Sequence, residues 1–267
     1  MNRKILALAP ILVASSIIKQ NKKLKVTKTT LDFNNLPYSF DNFKIAQVSD
    51  IHCDKVGLSD LAFLSKIRKF SPDIIVITGD ILDSYKNDMD VAYNILSQLS
   101  IIAPCYFISG NHELRLPKEY AELKIMLSKL KITHLHNESI LLNRNQDFIN
   151  LVGVEDYNFF KNEDNLNHRA NFKKTLDNLY SSEYFNILLS HRPEKFPIYV
   201  EAKYDLIFSG HAHGGQWRIP FIGGIFSPSQ GFFPEYTSGC YTKDSSTLIV
   251  SRGLGTVSYT HLTLPTK

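Results

Sequence analysis

Short apolar runs alternate with amphipathic segments along most of this 267-residue chain. Near-continuous apolar runs predict buried strands, and longer segments with helical spacing of apolar residues predict helices between them. We expect strands at 24–30, 43–48, 73–78, 104–109, 139–142, 148–152, 185–190 and 205–209, and helices at 58–70, 90–100, 117–130 and 166–179. Because strands and helices alternate, this order predicts an α/β fold that contains βαβ crossovers.

Five of the predicted strands end in clusters of polar side chains. The clusters are Asp50 and His52 in VSDIH; Asp80 in ITGD; Asn111, His112 and Glu113 in ISGNHE; His191 in LLSH; and His211 and His213 in SGHAH. Ligands collect at the carboxyl ends of strands in open α/β sheets, so we expect these residues to face one crevice. The first and last clusters each hold a pair two residues apart, and such side chains point the same way in extended backbone. This mixture of nitrogen and oxygen donors suits Mn, Fe or Zn better than Ca.

Each cluster alone has a simpler explanation. A histidine after a strand is more often structural, and G-D or G-N is more often part of a turn. The ordered occurrence of all five favours a metal site. His134, His136, His168 and His261 lack such a context and are interpreted as surface or structural residues, and Cys53 is interpreted as a core residue.

Composition and charge narrow the class of protein. Hydrophobic residues make up 43% of the chain and charged residues 21%, which is ordinary for a globular protein. The three cysteines form no C-x-x-C pair, which excludes a cysteine-based zinc site. Seven of the 30 basic residues lie in 1–28, which has no acidic residue, so the rest carries 23 basic and 26 acidic side chains. The net charge of +4 is therefore no evidence for nucleic-acid binding.

The N-terminus predicts a membrane-directed segment at 1–18. Arg3 and Lys4 precede a mainly apolar run at 5–18, which as a helix would span about 21 Å, less than a hydrocarbon core of about 30 Å. The run fits a signal peptide or a short anchor, the alternative being a buried or surface helix. Residues 19–42 are expected to be a basic linker that contains the edge strand. We expect a membrane-associated chain whose body lies outside the cytoplasm, although five lysines follow the run and oppose export.

The ordered set D-x-H, G-D, G-N-H-E, H and G-H-x-H resembles the calcineurin-like metallophosphoesterase family. The wider phrases LPYSFDNFKIAQVSDIH, SPDIIVITGDILDS and DLIFSGHAHGGQWRIPFIGG are closer still to a membrane-associated bacterial branch with phosphodiesterases and some lipid-A-pathway hydrolases. The resemblance covers residues 31–255 and implies a four-layer αββα sandwich over 43–255, with a two-metal centre between its sheets.

The resemblance also implies a role for each site residue. Asp50, His52 and His213 would hold the first metal, Asn111, His191 and His211 the second, and Asp80 would bridge both. His112 would be the catalytic residue that contacts phosphate and assists the leaving group. The implied cofactors are two divalent transition-metal ions (Mn, Fe or Zn), which activate a hydroxide for cleavage of a phosphodiester or pyrophosphate-type bond. Glu113 either orients His112 or is a carboxylate at a helix start.

The substrate is predicted less directly. The glycine- and aromatic-rich segment 213–236 would suit a lipid-linked phosphoester if it borders the site, and otherwise its aromatic rings pack on the second sheet. Arg115 and Arg192 adjoin predicted site residues and either contact phosphate or are surface charges. A nuclease and a non-catalytic interaction module are the alternative functions. The slightly acidic body weighs against the first, and the complete ligand set weighs against the second. We expect a monomer without a nucleic-acid partner.

Residues 256–267 depart from the family pattern, because TVSYTHLTLPTK stands where relatives continue with a Pro/Arg-containing segment and a final strand. We expect this tail to be foreign or truncated sequence, and the loss of a strand would leave a sheet edge unpaired.

Overall fold

The computed structural model describes residues 25–53, 60–85, 88–161, 167–215, 218–219, 223–254 and 258–264. The strands are β1 Lys25–Thr30, β2 Phe43–Val48, β3 Ile74–Thr78, β4 Cys105–Ile108, β5 Thr133–His134, β6 Glu138–Arg144, β7 Asp147–Gly153, β8 Phe185–Leu189, β9 Leu206–Ser209, β10 Arg218–Ile219, β11 Gly223–Gly224, β12 Phe226–Ser227, β13 Gly231–Phe232, β14 Gly239–Lys243, β15 Ser246–Val250 and β16 Ser258–Leu264. The α-helices are α1 Asp60–Phe70, α2 Met89–Ile102, α3 Asn111–Arg115, α4 Pro117–Lys129, α5 His168–Leu179 and α6 Phe196–Glu201. Single 3₁₀ turns lie at Tyr38–Phe40, Tyr157–Phe160 and Pro193–Lys195.

Two six-stranded sheets form the body of the fold. The first has the order β1-β16-β2-β3-β4-β5, and the second has the order β14-β15-β9-β8-β7-β6. Strands β2 to β5 are parallel, as are β7, β8, β9 and β15, whereas β6 and β14 pair antiparallel at the two edges of the second sheet. The parallel pairs confirm the predicted α/β class.

Three apolar clusters separate four layers. In β2, Ala46 and Val48 face a cluster that also contains residues of α1, α2 and α4, whereas Ile45 faces the space between the sheets. This alternation follows from the two-residue period of a strand. On the far side, the second sheet packs against α5 and α6 through a third cluster that contains Phe172 and Phe196. The structure is therefore the αββα sandwich that the family resemblance implies.

The predicted strands and helices are all present, and their described ends differ by at most two residues from those expected. Each of the strands β3 and β8 is buried along its whole length, which explains why its apolar run is so clear in the sequence. The sequence analysis did not predict α3, α6 or the hairpin of β14 and β15. Both helices have six residues or fewer, too short for a helical period to appear.

The structure describes part of the tail but none of the N-terminal segment 1–18. Residues 258–264 form β16, which pairs parallel with β1 and antiparallel with β2, so that β2 has a neighbour on both sides. The foreign or truncated origin of the tail stays a prediction. None of the described helices is both long and apolar enough to cross a bilayer. The segment 1–18 lies outside the described residues.

Candidate metal centre

The predicted ligands follow β2, β3 and β4 of the first sheet and β8 and β9 of the second. Two hydrogen bonds join these loops across the sandwich. The His211 N–H donates to Asp50 Oδ1 over 3.0 Å, and His191 Nδ1 lies 2.7 Å from the Thr78 carbonyl oxygen. The crevice therefore lies where the carboxyl ends of strands from both sheets meet, rather than at the edge of a single sheet.

Asp50, His52, Asp80 and His213 form the first group of side chains. Their candidate ligand atoms all lie within 4.8 Å of one another. The Nε2 atoms of His52 and His213 are 3.2 Å apart, and His213 Nε2 is 3.5 Å from Asp50 Oδ1. Asp50 is fully buried and Asp80 almost so, so these carboxylates are held away from bulk solvent.

Asp80, His191 and His211 form the second group, within the same limit of 4.8 Å. The Asp80 Oδ2 atom is 3.2 Å from His191 Nε2 and 4.0 Å from His52 Nε2. Asp80 thus belongs to both groups, the position expected of a bridging carboxylate. Asn111 is 5% exposed and lines a cavity that Asp80 and His211 also border.

Two buried polar atoms indicate that this arrangement suits cations. Asn111 Oδ1 and His191 Nε2 have no hydrogen-bond partner among the described residues. The Thr78 carbonyl can only accept, so His191 Nδ1 carries a proton, and in the neutral imidazole the Nε2 lone pair is left free towards Asp80. An orphaned amide oxygen and an orphaned imidazole nitrogen beside a buried carboxylate are atoms that a divalent cation would satisfy.

The protonation of the site also fits cation binding. Burial lowers the pKa of His211 well below its usual range and also lowers that of His213, which favours the neutral ligating form. Burial would raise the pKa of Asp80, but the neighbouring histidines, His191 first, hold it well below its usual range. Burial opposes the protonation of His191, yet the charge of Asp80 and its neighbours raises the pKa of His191 to about 10. A cation at Nε2 would therefore replace a proton.

The backbone brings the paired ligands together in a different way from the one expected. Asp50, His52, Asp80, His211 and His213 all have left-handed backbone, with φ between 48° and 64°. The pairs therefore do not converge as alternate residues of an extended strand, and this part of the prediction is wrong. Successive tight turns direct them instead, and the His52 N–H donates to the Asp80 carbonyl oxygen over 3.0 Å.

Gly110 is required by the close approach of two loops. A Cβ atom at this position would lie 2.6 Å from the Asp80 backbone nitrogen and would also clash with its carboxylate. The residue before Asn111 must therefore lack a side chain, which gives the G-N step of the motif a steric cause.

His112 lies beside both groups, at the start of α3. Its Nδ1 accepts the Ser84 N–H over 3.0 Å, and the Ser84 hydroxyl is 3.1 Å away. A backbone N–H can only donate, so the neutral imidazole carries its proton on Nε2. Burial lowers the pKa of His112. Its ring meets that of His52 edge-on at 4.6 Å, and a candidate ligand atom of His112 lies within 4.8 Å of those of His52 and Asp83.

Glu113 holds backbone N–H groups in place rather than the side chain of His112. Its carboxylate accepts the N–H groups of Asp80 at 2.9 Å, Leu82 at 2.9 Å and Gly110 at 2.7 Å. Burial and the nearby charge of Asp80 raise the pKa of Glu113 to about 7. The helix-start interpretation is therefore closer to the structure, with the addition that this carboxylate also fixes the loop that carries Asp80.

A cavity of about 440 Å³ opens beside the second group. Arg115, Lys161 and Arg192 line it, giving it cationic walls that would attract a phosphate. Arg192 is 6% exposed and is no surface charge, because its Nε donates to Asp156 over 2.7 Å and its Nη1 donates to Ser229 over 2.7 Å.

The sequence analysis missed Ser84, Asp156, Lys161 and Ser229. Ser84 holds His112, Asp156 holds Arg192, and Ser229 lies 3.2 Å from His211 Nε2. Ser229 belongs to the aromatic segment, whose position beside the site was left open. The acidic pair after β7 was the available signal for Asp156, because it also follows a buried strand at its carboxyl end.

Comparisons with known proteins identify the family and the fold. A model of the calcineurin-like phosphoesterase family matches residues 43–215. The uncharacterized metallophosphoesterase YkuE of Bacillus subtilis is 31% identical over 237 residues, covering 87% of this chain and 79% of that protein. The UDP-2,3-diacylglucosamine pyrophosphatase LpxG of Chlamydia muridarum is 28% identical over 292 residues, covering 87% of this chain and 84% of that protein. A dimetal phosphatase from Danio rerio shares the fold with a TM-score of 0.51 at 11% identity, over 80% of this chain and 88% of that one.

Proposed function

The chain belongs to the calcineurin-like phosphoesterase family, and from that premise we propose that it hydrolyses a phosphodiester or pyrophosphate bond in a lipid-linked substrate. That it is a phosphoester hydrolase follows from the family. The observation that carries the proposal is the pair of ligand groups that share Asp80 beside a cavity lined by Arg115, Lys161 and Arg192.

Two divalent transition-metal ions would occupy the centre. Asp50, His52 and His213 would hold the first ion, Asn111, His191 and His211 the second, and Asp80 both. When bound, such ions stabilise negative charge on the phosphoryl group and lower the pKa of bound water to about 7. The donor set favours Mn, Fe or Zn, because imidazole nitrogen and carboxylate oxygen are mixed in each group.

His112 would assist the departing oxygen. Because Ser84 N–H fixes the proton of the neutral ring on Nε2, this residue can donate a hydrogen bond or a proton from that atom. Its lowered pKa keeps the ring neutral near pH 7, so the donor is an imidazole rather than an imidazolium. Arg115 and Lys161 would bind phosphate oxygens at the wall of the cavity.

A lipid-linked substrate is supported by the segment that carries Ser229. Pro228 and Ser229 line the catalytic cavity, while Phe232 and Phe233 of the same hairpin are each 75% exposed. These two rings do not pack on the second sheet, unlike Tyr236, which is buried in its outer cluster. Adjacent exposed aromatic rings near a phosphate-binding cavity fit an acyl chain or a bilayer surface. The relative from Chlamydia muridarum is named as a pyrophosphatase of a diacylated compound, UDP-2,3-diacylglucosamine.

Membrane association through residues 1–18 is part of the same proposal. The strand β1 begins at residue 25, shortly after that segment, and Lys28, Lys44, Lys66 and Lys69 line a second cavity at this end of the molecule. Such a basic surface would be attracted to anionic lipid headgroups. We propose that the catalytic domain is monomeric and lies outside the cytoplasm.

A substrate panel tests the proposal. Protein loaded separately with Mn, Fe, Zn or Mg is offered bis-p-nitrophenyl phosphate, p-nitrophenyl phosphate, single-stranded DNA and a detergent-dispersed phospholipid. We expect diester hydrolysis to exceed monoester hydrolysis and the phospholipid to be preferred over the soluble ester. Preferential cleavage of DNA would instead support a nuclease, and equal rates on dispersed and soluble esters would contradict the lipid assignment. Inactivity on the whole panel with every metal would favour the non-catalytic module.

A further inference from the structure

A second cluster of metal-binding side chains lies outside the catalytic cavity, where strands of the two sheets approach each other. His134 is the last residue of β5 in the first sheet, His136 follows two residues later, and Glu155 follows β7 in the second sheet. One ligand atom from each lies within 4.8 Å of the other two. His134 Nε2 is 3.5 Å from Glu155 Oε1, and His136 Nδ1 contacts the same oxygen. Interpreting these two histidines separately, as the sequence suggests, misses their shared carboxylate.

We propose that His134, His136 and Glu155 form a mononuclear site for a divalent transition ion, with zinc as its best-suited occupant. Two imidazoles and one carboxylate are a recognised three-ligand zinc set, which leaves a fourth position for water. Magnesium and calcium fit less well, because they select oxygen ligands. The site is separate from the dinuclear centre and does not depend on the proposed substrate.

Burial and exposure are distributed as such a site requires. Glu155 is fully buried, whereas the side chain of His136 is 43% exposed, so an ion could enter from solvent on the histidine side. Burial would raise the pKa of Glu155, but the nearby imidazole of His134 together with the hydrogen bonds from Ser109 and Tyr120 lowers it to about 2. The carboxylate is therefore ionised at neutral pH and can offer an oxygen to a cation.

A hydrogen-bond network is the competing explanation of the same contacts. Tyr120 donates its hydroxyl proton to Glu155 Oε1 over 2.8 Å and lies 3.0 Å from His134 Nε2. Because His136 contacts the same oxygen, both lone pairs of Oε1 are used. His134 Nε2 then bonds to the Tyr120 hydroxyl oxygen instead. The metal site and the hydrogen-bond network would both satisfy these polar atoms, but only the metal site would take up a cation. Zinc uptake therefore separates them.

The site would link parts of the fold that are distant in sequence. Its ligands come from both sheets, so a bound ion would join their edges and stabilise the folded state by mass action. Ser109, which donates its hydroxyl to Glu155, directly precedes the Gly110–Asn111 step of the dinuclear centre. The neighbouring Asp156 holds Arg192 at the catalytic cavity. The cluster therefore lies behind the catalytic site without contributing a ligand to it.

Zinc content of the full-length protein tests the proposal. Wild type, His136→Gln, Glu155→Gln and the control His168→Gln are saturated with Zn²⁺, desalted and analysed for bound metal per chain. His168 is a suitable control because it contacts Tyr157 and lies outside the cluster. We expect His136→Gln to bind one zinc ion fewer than wild type and His168→Gln to bind the same number. Equal zinc content in wild type and His136→Gln would overturn the proposal and leave the hydrogen-bond network as the explanation.

The Asp80→Ala background removes the dinuclear centre from the measurement. In that background we expect calorimetric Zn²⁺ titration to retain one binding event, which disappears when His136→Gln is added. The exposed position of His136 makes this variant the main test, since Glu155→Gln changes a buried network. Zn²⁺ should also raise the unfolding temperature of Asp80→Ala but not of Asp80→Ala/His136→Gln. Equal shifts in the two proteins would overturn the proposal, whatever the hydrolysis panel shows.

Discussion

The His112→Ala substitution isolates the contribution of one imidazole beside the metal ligands. In the structure this ring accepts the Ser84 N–H and meets the His52 ring at 4.6 Å. Removing a general acid or hydrogen-bond donor slows catalysis by roughly 10²–10⁴-fold, which corresponds to about 2.7–5.4 kcal/mol of barrier. The lost hydrogen bond to Ser84 costs only about 1 kcal/mol of stability. We therefore expect a folded, metal-loaded protein with slow turnover.

The size of the effect should depend on the leaving group. A p-nitrophenolate departs without much help from a proton, so bis-p-nitrophenyl phosphate should show the smaller loss. A diester that releases unsubstituted phenol, with a pKa of about 10 like tyrosine, should show the larger loss. The assay is kcat/KM for both esters at matched metal content, with Ser84→Ala as control. That control keeps the backbone N–H on His112 and loses only the hydroxyl contact at 3.1 Å, so it should lose less than tenfold.

Three results would refute this reasoning about His112. Metal lost together with activity would make His112 a ligand, in line with its position within 4.8 Å of His52 and Asp83. Equal losses for the two leaving groups would remove its role in protonation. Unchanged kcat/KM for both esters would remove it from the reaction altogether.

Three further predictions concern the bridge, the lipid surface and the core. Asp80→Ala should abolish metal binding at the dinuclear centre together with turnover, because both ligand groups share this carboxylate. Hydrolysis retained in the diester assay, or more than one metal ion bound per chain, would contradict this prediction. Phe232→Ser/Phe233→Ser should slow hydrolysis of dispersed phospholipid but not of the soluble diester, because both rings are exposed. An equal loss on both substrates would count against a lipid contact. Phe107→Ala should lower the free energy of unfolding by about 3–5 kcal/mol in urea titration, because this β4 ring is fully buried against the outer helices. A loss below about 1 kcal/mol would contradict that packing.

The sequence predicts those parts of the fold whose causes are local. Strands such as β3 are apolar on both faces because layers cover both, and this produces a run that a sequence displays directly. The five-residue α3 has no such signature, because the buried carboxylate of Glu113 and the loop around Asp80 determine where it starts. The motif residues of the site could be recognised together because each follows a strand.

Contacts between distant segments explain what the sequence could not predict. Ser84 becomes important only because its N–H reaches His112, 28 positions away, and nothing in its neighbourhood marks that contact. His134 and His136 lie two residues apart on one sheet edge, but their carboxylate partner comes from the opposite sheet. Pairing across the sandwich depends on the packing of whole sheets, which a local pattern does not encode.

The backbone of the ligand residues explains how side chains from two sheets converge. Asp50, His52, Asp80, His211 and His213 each hold a left-handed conformation, which costs an L-residue other than glycine roughly 1–2 kcal/mol. Glycine would relieve this cost at these positions but would supply no ligand atom. The structure instead keeps carboxylates and imidazoles at these positions and offsets the strain with hydrogen bonds, such as that from the His211 N–H to Asp50. Ten other described residues that are not glycine, Ser71 and Lys131 among them, also have positive φ, so this conformation alone does not mark a site. The five ligand residues differ in that their left-handed turns surround one shared buried carboxylate, as in a preorganised site. These turns bring donors from two sheets into the two groups that share Asp80, and this convergence supports a metal centre more directly than motif order alone.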